Sequence, residues 1–165
     1  MLISDTTAGA INQQIGNDLG DSLQYVATSA HFALEALPEL AGLCGTLVEA
    51  RRESGMRCVH HLTEAGARLE IASLPMPQNE FKSAEDAVQL ALDAEIKNRD
   101  GLTELVELSI KESDHVTHRF VVALLSEAFS RASHLSSLLK VVQRAGEAGL
   151  PHVEAHLAAQ SRKQL

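Results

Sequence analysis

The stretch Ala67-Arg-Leu-Glu-Ile-Ala-Ser-Leu-Pro-Met-Pro-Gln-Asn-Glu-Phe-Lys82 decides the fold, because it is a long break between helical patterns. Pro75 and Pro77 fix φ and remove two amide donors, so this segment is not helical. Its sixteen residues, if extended, reach about 55 Å. A helix of about 28 residues is about 42 Å long at ~1.5 Å per residue. The segment is therefore long enough to run the full length of helices on either side of it.

Outward from this break, four long stretches carry helical periodicity. The first runs from about residue 7 to 36, with an inward stripe of Ile11, Ile15, Asp18, Ser22, Tyr25, Ser29 and Phe32. The second opens at Leu37-Pro38-Glu39, with proline at a favoured first helical position. Its stripe is Leu40, Cys44, Leu47, Arg51, Ser54, Cys58 and His61, and Gly66 is its stop. The third starts near Ser83, an N-cap, and presents Val88, Leu92, Glu95, Arg99, Leu102 and Val106. The fourth starts at Ser113 or Asp114 and presents Phe120, Leu124, Glu127, Arg131, His134 and Leu138. A short fifth helix follows Gly149-Leu-Pro151.

The links at Leu37-Pro38 and Glu112-Ser113-Asp114 are short, and short links make antiparallel neighbours. The reading is an all-α chain forming a single domain over 1–165. It has a four-helix bundle at about 7–146, one long crossover and a short C-terminal fifth helix at about 150–162.

Composition agrees. The chain is 45% hydrophobic, which excludes a disordered chain. Aromatic residues are 3% with no Trp, and the wealth of Leu, Ala and Val favours helices over a β-sandwich. The net charge of −8, with no basic patch, excludes a nucleic-acid binder and suits cations as partners. Cys44 and Cys58 lie 14 apart on one helical pattern, too far to bridge each other. They read as small buried hydrophobes of a reducing compartment. The start, Met1-Leu-Ile-Ser-Asp, lacks the basic and apolar parts of a signal peptide. No stretch approaches the ~18 apolar residues of a membrane span, so a cytoplasmic protein without a membrane partner is expected.

Asp18, Arg51, Glu95 and Glu127 interrupt the middle of the apolar stripes. Carboxylates in a bundle core need neutralising partners, because desolvating an isolated charge is costly. Two neutralisers are at hand: a metal ion bound through oxygen, such as iron, or Arg51 itself. A dinuclear carboxylate site takes a lone Glu from each of two helices and a Glu-x-x-His pair from each of the other two. Here the second helix reads Arg51-Arg52-Glu53-Ser54 and the fourth reads Glu127-Ala128-Phe129-Ser130, so each pair lacks a ligand.

Several segments then point to a family. They are Ile11-Asn-Gln-Gln-Ile-Gly-Asn-Asp18, Leu37-Pro-Glu-Leu-Ala41, Gly66-Ala-Arg-Leu-Glu-Ile71, Asn79-Glu-Phe81, Ala91-Leu-Asp-Ala-Glu95, Phe120 through Glu127, and Arg144-Ala-Gly146. In this order and spacing the chain resembles bacterial ferritins over roughly residues 10–158. The resemblance implies a ferritin-like bundle that assembles into a twenty-four-subunit shell holding ferric mineral, alone or together with a catalytic ferritin.

The resemblance also implies where a diiron centre would lie. Asp18, Glu95 and Glu127 match its carboxylate positions on the first, third and fourth helices. The bridging Glu of the second helix falls on Arg51, its His partner on Ser54, and a further fourth-helix carboxylate on Ser130. Bacterioferritins bind haem through a second-helix Met; Arg52 stands there, so no haem is expected. The centre resembles that of ferritin light chains, where a cation replaces a ligand. The expectation is non-haem iron as cargo, with an oxidising site closed by Arg51 and Ser54. The rival is a working ferroxidase that oxidises Fe(II) to Fe(III) at Asp18, Glu95 and Glu127, helped by Glu49 or Glu53. A third reading is a bundle that binds no iron and acts as a partner or regulator.

Asp114, His115 and His118 fall where the resemblance places threefold pores, and there they would meet entering metal; otherwise they are surface groups at a helix start. His152 and His156 lie at i, i+4, two ligands without a third. Of His60 and His61 only one faces inward, and Tyr25 packs with its hydroxyl satisfied.

Overall fold

The computed structural model describes residues 1–163. These form α1 (Asp5–Leu34), α2 (Pro38–Glu64), α3 (Ala84–Lys111), α4 (His115–Ala145), a single 3-10 turn at Glu147–Gly149, and α5 (Leu150–Lys163). No strand occurs among the described residues.

The helix starts follow local chemistry. The side chains of Ser4, Ser83 and Asp114 accept hydrogen bonds from the amides of Thr7, Asp86 and Thr117. Each satisfies a donor that a helix start leaves open. The N-cap of α2 is Leu37, which has no oxygen to offer. That start is capped from α5 instead, where Glu154 accepts from the amides of Glu39 and Leu40 at 2.7 and 2.9 Å. The helices α1 and α3 end where Ala36 and Ser113 adopt φ of 58° and 56°. This left-handed step closes each tight turn, so α1 stops at Leu34 rather than running on to residue 36.

The crossover tracks α1 turn by turn. Asn12 bonds the backbone of Arg68 and Glu70, Gly20 lies against Pro75, and Gln24 bonds the backbone of Gln78. His31 then meets Phe81 with ring centroids 4.9 Å apart. Having climbed the length of α1, the chain enters α3 and runs back. Glu112 thus reaches Ser4 and Thr7 at the start of α1. The outcome is two antiparallel pairs, α1 with α2 and α3 with α4, joined by one long crossover, with α5 packed across α2 and α4.

The apolar core has two halves. One gathers Tyr25, Phe32, Leu40, Leu47, Leu92 and Leu135; the other gathers Ile11, Ile15, Leu62, Leu102 and Val121. Burying a side chain of this size contributes about 1.5–3 kcal/mol. Along α1, α2 and α3 the residues between the two halves are polar, and Asp18, Arg51 and Glu95 are all fully buried.

Two stripes need correction. On α3 the buried positions after Glu95 are Asn98, Leu102, Leu105 and Ser109, not Arg99 and Val106. On α4 they are Thr117, Val121, Leu124, Ala128, Ala132, Leu135, Leu138, Leu139 and Val142, which leaves Glu127 and His134 exposed. No helix among the described residues is long and apolar enough to cross a membrane.

Candidate functional site

Arg51 sits at the centre of the polar belt with no exposed surface. Its Nη2 donates to Asp21 Oδ2 at 2.6 Å, and its Nη1 lies 2.9 Å from Asp18 Oδ1. The second pair is close but poorly aligned for a hydrogen bond, so it is mainly a charge contact. Nε of Arg51 stands 3.8 Å from Glu95 Oε1. The other oxygen of Glu95 accepts from Arg131 Nε at 2.9 Å, and Tyr25 donates its hydroxyl to Oε1 at 2.9 Å. Ser54 donates to Asp18 Oδ2 at 3.0 Å. One layer away, Gln14 donates to Asn98 across the α1–α3 contact at 2.8 Å.

The local sequence builds this arrangement. Asp18 and Asp21 are three apart and Arg51 and Ser54 are three apart, so each pair shares a helix face. Gly55 lets α1 and α2 approach here, since a Cβ on it would lie 3.1 Å from Asp18 Cβ. The electrostatics are tightly coupled. Burial raises the Asp18 and Asp21 carboxyls above their ordinary values, opposed by the Arg51 guanidinium. Burial acts to lower Arg51, but Asp18, Glu95 and Asp21 outweigh it and hold the guanidinium protonated. Burial and the charge of Glu95 push Tyr25 well up, which keeps the phenol a donor. The buried thiol of Cys44 is pushed up to about 12 by desolvation, and that of Cys58 rises for the same reason.

Of the residues picked out from the sequence, Asp18, Arg51, Ser54 and Glu95 meet in this cluster. Glu127 does not: it lies on the open side of α4 and pairs with Arg57 of α2 at 2.9 Å. The inward position of that turn belongs to Ala128, one step and about 100° away. The expectation that Asp18, Glu95 and Glu127 share one level is therefore corrected: the third carboxylate beside Arg51 is Asp21 of α1. Ser130 is exposed, and so are Glu49 and Glu53, with Glu49 paired to Arg52. Asp21, Arg57 and Arg131 are functional neighbours that the sequence reading did not single out as partners. The i, i+3 spacing of Asp21 from Asp18 was the available signal.

The histidines lie elsewhere. Asp114 caps α4 through Oδ1, while its Oδ2 is buried without a hydrogen-bond partner. His115 is exposed, and His118 Nδ1 lies 3.3 Å from the Ser109 hydroxyl. His60 pairs with Glu64 on the surface, whereas His61 stacks on Phe120 and bonds the Thr117 hydroxyl at 3.0 Å. His152 is exposed, and exposed His156 pairs with Gln160.

Tested against iron, the donor set at the belt does not fit. A guanidinium fills the space between the carboxylates, and both oxygens of Glu95 are engaged. Among the described residues no three His, Cys, Asp or Glu side chains come together in a way that could hold a metal ion.

Two antiparallel helix pairs, a full-length crossover and a belt of ionisable groups across the core define a ferritin-like bundle. Residues 8–145 match the ferritin family, described as a ferritin-like domain. The chain is 30% identical to ferritin BfrB of Mycobacterium tuberculosis over 136 residues, 82% of this chain and 75% of that protein. It is 28% identical to ferritin BfrB of Mycolicibacterium smegmatis over 148 residues, 90% of this chain and 81% of that one. In fold it is similar to an open-pore ferritin from the archaeon Archaeoglobus fulgidus, with a TM-score of 0.88 and 20% identity, covering 94% and 96% of the two chains. The chain belongs to the ferritin family.

Proposed function

We propose that this chain is a subunit of an iron-storage shell that holds ferric mineral while its own intra-bundle oxidation centre is closed. The observation that carries this reading is Arg51, fully buried among Asp18, Asp21 and Glu95 at the level where a diiron carboxylate site would sit. A fixed guanidinium repels Fe²⁺ and already meets the carboxylates that would bind it. Iron is cargo here, held as mineral inside the shell. By family resemblance the shell has twenty-four subunits, built alone or with a catalytic ferritin, and works in the cytoplasm. Haem takes no part, because Arg52 points outward and pairs with Glu49.

The reading is tested by restoring the ligands. Arg51→Glu combined with Ser54→His returns a carboxylate and an imidazole to α2. Without metal the crowded carboxylates repel, so this double variant is expected to be less stable than the parent. Titrated with Co²⁺ under nitrogen, it is expected to bind more metal and to gain thermal stability that the parent does not gain. Equal binding by both proteins would mean that Arg51 does not stand at a lost ligand position.

A further inference from the structure

Between α2 and α4 lies a cleft of about 450 Å³, separate from the buried belt. It is held open at both ends. At one end the ion pair Arg57–Glu127 and the His61–Thr117 hydrogen bond tie α2 to α4. At the other, α5 packs on both helices and is pinned to α2 by Glu154. In between, each helix leans on its own antiparallel partner. Leu43, Leu47 and Ala50 of α2 then face Leu135 of α4 across the gap. The volume falls in the range of small-molecule sites, as does the mix of apolar wall and few polar groups.

The ionisable groups, Glu127, Arg131 and His134, stand on the α4 wall, and the α2 wall offers only the Thr46 hydroxyl. Arg131 and His134 line the cleft from positions three apart on α4. Arg131 uses only Nε to hold Glu95. Neither of its terminal nitrogens is engaged by another group among the described residues, and neither is sealed from solvent. Both terminal nitrogens are thus left open on a side chain that lines the cleft and is anchored by a buried carboxylate. Glu127 also lines the cleft, and both its oxygens accept from Arg57 Nη1 of α2. The surplus carboxylate of the belt, Asp21, is on α1 with Arg51.

We propose that this cleft binds an amphipathic monocarboxylate, its aliphatic chain between Leu43, Leu47, Ala50 and Leu135 and its carboxylate on the free nitrogens of Arg131 beside His134. The apolar chain leaves water for an apolar slot, and the headgroup meets donors with the fork geometry that suits a carboxylate. A cation or a neutral head gains nothing from Arg131. The proposal is independent of whether iron binds at the belt, because it uses the outer nitrogens of Arg131 and not the core carboxylates.

Decanoate below its aggregation limit is the probe, with decanol and decylamine of equal chain length as controls, all measured by calorimetric titration of the assembled protein. Decanoate is expected to saturate at about one molecule per subunit and to bind roughly tenfold or more tighter than either control. Ala50→Phe fills the slot and is expected to abolish binding. Arg131→Gln is expected to weaken decanoate roughly tenfold and to leave decanol unchanged. Should Arg131→Gln fail to fold through loss of its Glu95 contact, the Ala50→Phe result and the headgroup comparison still decide the matter. Decanoate binding no tighter than decylamine, or unaltered by Ala50→Phe, overturns the proposal.

Discussion

Arg51 draws its environment from three directions at once. Asp18 and Asp21 come from α1, Glu95 from α3, and Arg131 supplies a second cation to Glu95 from α4. A buried ion network of this kind adds little net stability against an apolar core of the same shape, because desolvation offsets attraction. Removing one member is another matter. Arg51→Ala leaves the fully buried Asp18 without a cation, and is expected to cost about 3–5 kcal/mol, read as a shift of the urea midpoint. A loss below about 1 kcal/mol would mean that water replaces the guanidinium freely. The sequence made Asp18, Arg51 and Glu95 legible, because charges at stripe positions of a bundle must meet. Asp21 and Arg57 were not legible. Each is one of several charged residues near its stripe, and only the fitted helices decide which of them reach across.

Helix registers decide the rest. On α1 and α2, large apolar residues at 3.6 spacing fix most of the inward face, except that Thr28 and Leu62 are buried where Ser29 and His61 were expected. On α4 the run from Leu124 to Leu139 is rich in Ala and Ser, and two faces one residue apart both pass through Leu124. The contrast is weak, and the face carrying Ala128 and Leu135 wins because α3 packs there. That one-step rotation carries Glu127 out of the core. The long crossover was legible from its prolines and its length alone. The cap on α2 was not, since it comes from a residue more than a hundred positions away. Glu154→Ala is expected to cost about 0.5–2 kcal/mol and to raise proteolytic cleavage before α5, with Glu154→Gln milder. Unchanged cleavage would mean that apolar packing alone holds α5.

The same scale holds a pH dependence. Burial lowers the pKa of His61, against the pull of Asp114 and Glu64 and with the push of His60, while Thr117 and Phe120 face its ring from α4. A histidine depressed in the fold binds protons more readily in the unfolded chain. Stability is therefore full above the ordinary value of 6.5 and is lost as pH falls through it toward the folded pKa. Tm is expected to fall on acidification through this window, and His61→Gln to flatten the fall. An equal slope in both proteins would assign the effect to other groups.

At the scale of the whole molecule, family membership and the closed belt pull in different directions. The ferritin bundle is complete, from the full-length crossover to the short α5. Yet the centre of the bundle is filled by an arginine, and the acid at the cleft is neutralised by another. Under the proposed function, a shell of such subunits would leave the oxidation of iron to solution chemistry, mineral surface or companion subunits. The most direct measurement is the initial rate of Fe²⁺ oxidation in air after about two Fe²⁺ per subunit are added to the metal-free protein, set against buffer alone. A rate close to that of buffer is expected. A fast, saturable rate would show a working oxidation centre and contradict it.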